Sequence, residues 1–200
     1  MVFKLSRRFL STEDQLALIA DLRSVVRSAP LFRPSMPRSG SPFRYEMTNC
    51  GNWGWVSDRS GYRYTETQAN GIPWPPIPAR LLSIAIALTE DAGFSGFAPD
   101  TCLVNFYRGD RSSLGLHQDV SEKNLLAPVV SVTLGDSGFF AWGGLHRKDP
   151  TKEILLRSGD CIVFGGENRL HFHGFSGLVS GSSRLLKNGG RLNCTLRQYS

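Results

Sequence analysis

The stretch LVNFYRGDRSSLGLHQD, residues 103–119, joins a strand pattern to a candidate metal-binding pair. Its first residues alternate between two faces as in a β-strand, and the pattern breaks at Gly109. It ends in HQD, which places His117 and Asp119 two residues apart. In an extended segment such residues point to the same side, so an imidazole nitrogen and a carboxylate oxygen can bind one metal ion. With a second histidine, this ligand set predicts an iron centre whose open face accepts a cosubstrate and oxygen.

The second histidine must be His146, His171 or His173. His146 lies in the polar turn LHRKDP, which is typical of a surface loop. His171 and His173 share one face of an extended segment in LHFHG, so periodicity leaves both open as ligands. A histidine in a strand is also commonly a hydrogen-bonded core residue, which is the structural alternative for either of them.

Composition favours one globular domain over residues 1–200. The chain has 40% hydrophobic and 20% charged residues, which is enough to bury one substantial core. Its net charge of +6 favours a polyanionic partner. No apolar run is long enough to span a bilayer and the N-terminus lacks a signal-peptide pattern, so we expect no membrane and a cytoplasmic location. Four cysteines stand far apart and are expected to be buried thiols: Cys50, Cys102, Cys161 and Cys194.

Two helical patterns precede a series of short strands. Ser11 or Thr12 can cap the first helix, which must end before Pro30, and the second helix is predicted over residues 78–93. The predicted strands are residues 101–107, 129–134, 139–142, 153–157, 161–164, 170–173 and 191–197. This order predicts an α+β, mainly β fold in which the helices pack on a β-sandwich or jelly roll.

Residues 45–78, together with the loop before them, are unusual for a connecting segment. Aromatic rings gather there among Gly, Asn and Pro: Trp53, Trp55, Tyr62, Tyr64 and Trp74. Rings beside cations such as Arg59 and Arg63 are a common way to hold unpaired nucleotides. A short hairpin of residues 45–55 and 62–65, whose rings merely cover the edge of the core, explains the pattern as well. The arginines of the preceding loop could meet phosphates or be ordinary surface charge.

The last predicted strand, residues 191–197, has an apolar face and a polar face. The polar face carries Arg191, Asn193, Thr195 and Arg197. If this face points to solvent, it is unremarkable. If it lines the inside of a roll, the two guanidinium groups require anions, and a dicarboxylate could satisfy both through charge-assisted hydrogen bonds.

Seven motifs in order resemble the AlkB family of alkylation-repair dioxygenases, and the similarity covers nearly the whole chain. They are MTNCGNWGW (47–55), GYRY (61–64), NFY (105–107), HQD (117–119), PVVSVTLG (128–135), FGGENRLHFHG (164–174) and RLNCTLRQ (191–198). The resemblance implies a double-stranded β-helix (jelly-roll) core over residues 99–199, N-terminal helices packed on one sheet, and a nucleotide-recognition lid over residues 30–78. It also implies Fe(II) as the metal and 2-oxoglutarate and O2 as cosubstrates.

The resemblance assigns roles residue by residue. The iron ligands it implies are His117, Asp119 and His173, because the family's distal histidine directly precedes a glycine. Residues implied to bind 2-oxoglutarate are Asn105, Phe106, Tyr107, Arg191, Asn193 and Arg197. Residues implied to bind substrate are Trp55, which would stack on the damaged base, Tyr62, Arg63, Tyr64, Ser121 and Arg147. Ser121 stands where the well-studied bacterial member has an acidic residue. A carboxylate can favour a cationic base, whereas a serine can only form hydrogen bonds.

The implied reaction is oxidative demethylation of bases such as N1-methyladenine and N3-methylcytosine in DNA, a direct-reversal repair that releases formaldehyde. Because the alkyl group lies on the pairing edge, the nucleotide must be unpaired or flipped, so single-stranded DNA is the expected partner of a monomeric enzyme. One alternative is the same chemistry on RNA or a free small molecule. Another is a non-catalytic nucleic-acid-binding module, for which the aromatic and basic segment alone would suffice.

Overall fold

The computed structural model describes residues 2–200, which form two α-helices, one short 3₁₀ helix and twelve strands. In chain order these are β1 (Val2–Ser6), α1 (Thr12–Ser28), β2 (Glu46–Gly51), β3 (Gly54–Asp58), β4 (Gly61–Thr65), α2 (Ala79–Asp91), β5 (Thr101–Tyr107), β6 (Leu114–His117), β7 (Val129–Gly135), β8 (Ser137–Trp142), β9 (Lys152–Leu156), β10 (Cys161–Gly165), the 3₁₀ turn Gly166–Asn168, β11 (His173–Val179) and β12 (Arg191–Arg197).

Both predicted helices are present. Ser11 caps α1 by accepting a hydrogen bond from the backbone N–H of Asp14, and α1 ends before Pro30 as predicted. The buried stripes of α1 and α2 pack on one face of the larger sheet, where the core includes all four cysteines as free thiols. The prediction of buried thiols is therefore confirmed. Within residues 2–200, neither helix is long and apolar enough to cross a membrane.

The strands form two main antiparallel sheets and a separate hairpin. The larger sheet has the order β1-β10-β7-β12-β5-β2, the smaller has the order β6-β11-β8-β9, and β3 pairs with β4 alone. Apolar clusters that contain residues of both main sheets lie between them, one of them around Tyr107 and Phe175. This arrangement is the predicted jelly roll with helices on one sheet.

The strand predicted over residues 170–173 is wrong in extent. The structure starts this strand at His173 and continues it to Val179, and the three preceding residues belong to a loop in which Phe172 N–H donates to Gly144 O. Gly174 and Gly177 lower the strand propensity of the true segment, which explains why its pattern was weak. Strand β1 was not predicted from the sequence. Strand β6 was not predicted as a separate strand, although the residues that end in HQD were expected to be extended.

Residues 45–55 do not form one arm of a hairpin. β2 joins the larger sheet by pairing with β5, whereas β3 leaves it and pairs with β4. Gly51 separates the two strands with a positive φ of 118°, and a Cβ there would lie 2.4 Å from the carbonyl oxygen of Asp100. Only glycine fits this close approach, so the chain turns away from the roll at this residue.

Candidate active site

Three side chains converge between β6, β11 and the loop after β6. His117 and His173 occupy directly paired positions of two antiparallel strands, and Asp119 follows two residues after His117. Their ligand atoms all lie within 4.8 Å of one another. Each histidine Nε2 is 3.7 Å from an oxygen of Asp119. The structure thus brings together the two histidines and the carboxylate of a facial metal-binding triad.

The other two histidines do not belong to this cluster. His171 lies beside Trp142, with ring centroids 5.2 Å apart, and its Nδ1 is 2.9 Å from the carbonyl oxygen of Gly143. His146 is exposed in the loop after β8. Strand periodicity left His171 and His173 equivalent and the resemblance implied His173, which the structure places at the start of β11, opposite His117.

Backbone carbonyls orient both ligand histidines. His117 Nδ1 is 3.0 Å from Gly115 O, and His173 Nδ1 is 3.0 Å from His171 O. A proton on each Nδ1 satisfies these carbonyls and leaves the Nε2 lone pair facing the centre of the triad. Burial and the neighbouring His173 lower the pKa of His117 to about 4. Its imidazole is therefore neutral at pH 7 and ready to bind a metal.

Asp119 is held as an ionised ligand by Arg197. The guanidinium donates from Nε to Oδ2 at 2.9 Å and from Nη2 to Oδ1 at 3.0 Å. Burial alone would raise the pKa of Asp119, but the charge of Arg197 outweighs it and holds the pKa well below its usual range. The resemblance placed Arg197 near the end of 2-oxoglutarate that chelates iron, and its direct contact is with the metal ligand itself.

Glu122 and Arg169 form a second buried ion pair that sequence reasoning missed. Arg169 Nη2 donates to Glu122 Oε2 at 3.0 Å, and Arg169 Nη1 donates to the backbone carbonyl of Asp119 at 2.7 Å. The two side chains are only 1% and 3% exposed. Both residues lie outside the strands, in polar stretches that are typical of surface charge, so composition offered no signal for their burial.

Arg191 lies deep in the roll without an anion beside it. The residue is 2% exposed, and its Nη2 donates to Thr133 Oγ1 at 2.8 Å, whereas its Nε and Nη1 lack a partner among residues 2–200. Burial lowers the pKa of Arg191 to about 10, so the group remains charged at pH 7. An uncompensated buried guanidinium is costly, and a ligand carboxylate would satisfy both free donors. The free donors of Arg191 therefore suit a carboxylate such as one end of 2-oxoglutarate.

The other residues implied to bind 2-oxoglutarate divide between two faces of the sheet. Register places Tyr107 opposite Arg191 and Asn105 opposite Asn193, so these four share one face. The buried Oδ1 of Asn105 also lacks a partner within residues 2–200. Phe106 points to the opposite face by strand alternation, where its ring lies 4.6 Å from the guanidinium of Arg108. A role for Phe106 in binding would have to use its backbone, and it stays a prediction.

The β3–β4 hairpin presents aromatic rings on one of its faces. The rings of Trp55 and Tyr62 stack with centroids 5.5 Å apart and an interplanar angle of 17°. Tyr64, on the same face, reaches the buried ion pairs and donates to Glu122 Oε1 at 2.5 Å. The side chain of Asn49 forms two hydrogen bonds with the backbone of Trp55, which ties the hairpin to β2.

Arg63 lies on the other face of the hairpin. Its guanidinium forms two hydrogen bonds of 2.7 and 2.8 Å with Asp58, and both residues line a cleft of about 550 Å³. Strand alternation therefore separates Arg63 from Tyr62 and Tyr64. Ser121 and Arg147 are exposed, and Arg147 donates to Leu116 O, one residue before His117, at 2.6 Å.

Comparisons with known proteins agree on a family. Residues 3–197 match the 2OG-Fe(II) oxygenase superfamily. A Caulobacter vibrioides protein named alpha-ketoglutarate-dependent dioxygenase AlkB homolog is 42% identical over 94% of this chain and 84% of its own length. The Escherichia coli protein named alpha-ketoglutarate-dependent dioxygenase AlkB is 42% identical over 90% of this chain and 83% of its own length. The solved structure of OsALKBH1 aligns with a TM-score of 0.82 and 30% identity, covering 98% of this chain and 97% of the other.

The match and the geometry indicate the same chemistry. A triad of two imidazoles and an ionised carboxylate suits Fe(II), and the free donors of Arg191 suit a dicarboxylate cosubstrate. The chain belongs to the AlkB family within the 2OG-Fe(II) oxygenase superfamily, and it is an Fe(II)- and 2-oxoglutarate-dependent dioxygenase that consumes O2.

Proposed function

We propose that this dioxygenase removes N-alkyl groups from nucleobases, with N1-methyladenine and N3-methylcytosine in single-stranded DNA as the first candidate substrates. The observation that carries the proposal is the half-exposed stack of Trp55 and Tyr62 on a hairpin that also contacts the ion pairs around the metal ligands. A flat base can stack on such rings while its alkylated edge faces the triad. The family's AlkB relatives support the same reaction.

The chain's own residues supply binding and orientation. In the proposal, His117, Asp119 and His173 hold the iron, while Arg191, Asn105, Tyr107 and Asn193 lie around one carboxylate of 2-oxoglutarate. Once bound, the metal and its cosubstrates would supply the oxidation, in which 2-oxoglutarate, O2 and the N-alkyl group are converted into succinate, CO2 and the hydroxylated alkyl group. The hydroxymethyl group then leaves the nitrogen as formaldehyde and restores the base. The rings of Trp142 and Phe164 pack beside His173, whereas the His117 side chain is 32% exposed, so the triad is open to the surface on the His117 side.

Two exposed cations lie near the hairpin and the triad, because Tyr199 beside Lys123 contacts Tyr64 and Arg147 contacts the backbone next to His117. Lys123 lies 4.9 Å from the ring of Tyr199, and Arg147 lies 4.9 Å from the ring of Phe172. Both side chains are exposed, and in the proposal they turn from these contacts to meet phosphates. We assign the base to Trp55 and the phosphates to these cations, whereas Ser121 offers the base a hydroxyl group instead of a carboxylate.

The organisation we propose follows from this assignment. Residues 30–78 act as a nucleotide-recognition lid, residues 99–199 form the jelly-roll core, and the single domain over residues 1–200 works as a monomer. The location that we propose is the cytoplasm, because a repair enzyme must reach DNA. RNA is a second candidate substrate, because an unpaired base in either polymer presents the same ring to Trp55.

Mass spectrometry of modified oligonucleotides tests the proposal. The protein is incubated with Fe(II), 2-oxoglutarate, ascorbate and oligonucleotides that carry N1-methyladenine or N3-methylcytosine. We expect the mass to fall by one methylene group, with formaldehyde and succinate released in equal amounts. Parallel reactions with single-stranded DNA, duplex DNA, RNA and free nucleosides decide the substrate.

Two outcomes would contradict the assignment. Oligonucleotides that bind but keep their mass, with no succinate formed, would identify a binding module instead of an enzyme. Demethylation by iron-free protein in the presence of a chelator would exclude the iron chemistry.

A further inference from the structure

Tyr64 belongs to the hairpin, but its hydroxyl group contacts the ion pairs that surround the metal ligands. It donates to Glu122 Oε1 at 2.5 Å and accepts a 3.3 Å hydrogen bond from Arg197 Nη1. The neighbouring rings of Trp55 and Tyr62 instead stack on each other. Burial raises the pKa of Tyr64, so the phenol keeps its proton and remains a donor to Glu122. The resemblance implied that Tyr64 binds the substrate, whereas its observed partners are the ion pairs beside the metal ligands.

Both partners of Tyr64 fix the position of Asp119. Arg197 binds the two carboxylate oxygens of Asp119. Glu122 binds Arg169, and Arg169 in turn donates to the backbone carbonyl of Asp119. Glu122 also lies 3.6 Å from Arg197 Nε. One metal ligand is therefore held at its side chain and at its backbone by two arginines that share a single carboxylate.

Burial makes these contacts sensitive to the position of the hairpin. The four charged side chains are between 1% and 6% exposed. Inside such a low-dielectric site, water does not replace a lost hydrogen bond, and the groups left behind must rearrange. A shift of β4 would move the Tyr64 hydroxyl, change the contacts of Glu122 and Arg197, and so change how Asp119 presents its oxygens.

We propose that Tyr64 is a positioning residue that couples nucleic-acid binding at the β3–β4 hairpin to metal binding at the triad of His117, Asp119 and His173. The inference rests on the proposed function, since a nucleic acid is the ligand that orders the hairpin. Tyr64 acts through Glu122 and Arg197 and does not touch the metal. Coupling between two binding sites is reciprocal, so nucleic acid tightens metal binding and metal tightens nucleic-acid binding by the same factor.

The test measures Mn(II) affinity by calorimetry, because Mn(II) accepts the same ligands as Fe(II) without turnover. The protein is saturated with 2-oxoglutarate and titrated with Mn(II), alone and with a saturating single-stranded oligonucleotide that carries one N1-methyladenine. For the wild type we expect the oligonucleotide to tighten Mn(II) binding about 10-fold. Tyr64→Phe keeps the ring and loses only the hydroxyl group, and it should reduce this factor to less than about 2-fold.

Tyr62→Phe is the matched control. It also removes one hydroxyl group from the same face of the hairpin, but that hydroxyl group contacts Met36 Sδ at 4.0 Å and no member of the ion pairs. We expect the oligonucleotide to tighten Mn(II) binding by the same factor in Tyr62→Phe as in the wild type, even if oligonucleotide affinity falls.

Thermal unfolding without ligands checks that Tyr64→Phe is folded. If it is not, Glu122→Gln, which keeps an acceptor for Tyr64 and removes the charge shared by the two arginines, takes its place with the same expected loss of coupling.

The outcomes separate this inference from the proposed function. The coupling would be overturned if the oligonucleotide left the Mn(II) affinity of the wild type unchanged. It would also be overturned if the oligonucleotide tightened Mn(II) binding equally in Tyr64→Phe and in the wild type, even if formaldehyde is released. Intact coupling with no formaldehyde from any oligonucleotide would overturn the demethylase proposal alone. Absence of oligonucleotide binding would overturn both.

Discussion

The metal-binding side of the jelly roll and the β3–β4 hairpin differ in the exposure of their side chains and in the pairing of their strands. Arg191 and His173 are 2% and 6% exposed, whereas Tyr62 is 51% exposed. β12 is a seven-residue strand paired on both sides, while β3 and β4 are five-residue strands paired only with each other. Oxidation needs ligands held in one geometry, and that rigidity comes from a paired, buried sheet. A surface that accepts a flexible strand can remain adaptable.

The two regions also use charge differently. The ion pairs of the roll, Asp119 with Arg197 and Glu122 with Arg169, are buried and share hydrogen bonds. The ion pair of the hairpin, Arg63 with Asp58, has 41% and 48% of its side-chain surface exposed. Solvent screens such a surface pair, so it contributes little to stability, whereas breaking a buried pair leaves an uncompensated charge. Changes in the roll should therefore have larger effects than changes in the hairpin.

The largest effect is expected from His117→Ala. Loss of one of the three ligands should lower Mn(II) affinity by more than about 100-fold, which exceeds the usual effect of losing an outer-shell partner, and should abolish demethylation. Oligonucleotide affinity measured without metal should change little, because the hairpin is intact. Calorimetry and the formaldehyde assay provide the measurements. His146→Ala, which changes an exposed histidine outside the triad, is the control. Equal Mn(II) affinities in the two variants would contradict the assignment of metal binding to the triad.

Arg191→Gln tests the interior of the roll at a residue that is assigned to the cosubstrate and not to the metal. Loss of two charge-assisted hydrogen bonds to a carboxylate, about 3 kcal/mol, should weaken 2-oxoglutarate binding about 100-fold. The KM for 2-oxoglutarate should rise accordingly, while the KM for the oligonucleotide stays close to its wild-type value. Arg184→Gln removes an exposed arginine near the same end of the chain and should change neither. An unchanged KM for 2-oxoglutarate in Arg191→Gln would remove the cosubstrate from this pocket.

Trp55→Ala should act on the hairpin alone. Loss of one base-stacking ring costs about 1–3 kcal/mol, so the KM for a methylated oligonucleotide should rise by about 5-fold to 150-fold. The affinity for Mn(II) and 2-oxoglutarate in the absence of oligonucleotide should remain at the wild-type level. Trp55→Phe retains a ring and should recover most of the loss. A reduced metal affinity in Trp55→Ala without nucleic acid would show that the hairpin also stabilises the roll.

Ser121→Asp is expected to have the smallest effect and sharpens the comparison at the boundary of the two regions. Ser121 is exposed, two residues after Asp119. A carboxylate there would attract a cationic base by about 1 kcal/mol after solvent screening, which is about 5-fold. Competition between N1-methyladenine, which is cationic, and the neutral N1-methylguanine in one oligonucleotide pool gives the ratio of kcat/KM values. Ser121→Asn, which is uncharged, should leave the ratio unchanged, and an equal shift in both variants would exclude an effect of charge.

The sequence predicted the parts of the fold that depend on local patterns. Ser11 and Pro30 marked the ends of α1, and the strong strand patterns of β5 and β12 were found with their exact limits. The strand over residues 170–173 was misplaced because His171 and His173 have the same parity and the glycines of β11 weaken its pattern. The first strand, β1, gains its place only by pairing with β10, far away in the chain.

By itself, the sequence determined the donor set: the HQD pair, a histidine in LHFHG, and a strand with arginines on one face. Only the tertiary structure decided how these groups meet. It paired His173 with His117, turned the face of Arg191 into the roll, and buried Glu122 beside Arg169. Periodicity fixes which side chains share a face, because it depends on the local backbone. What that face meets depends on strands and loops that are distant in the sequence, and on the buried charges that they bring together.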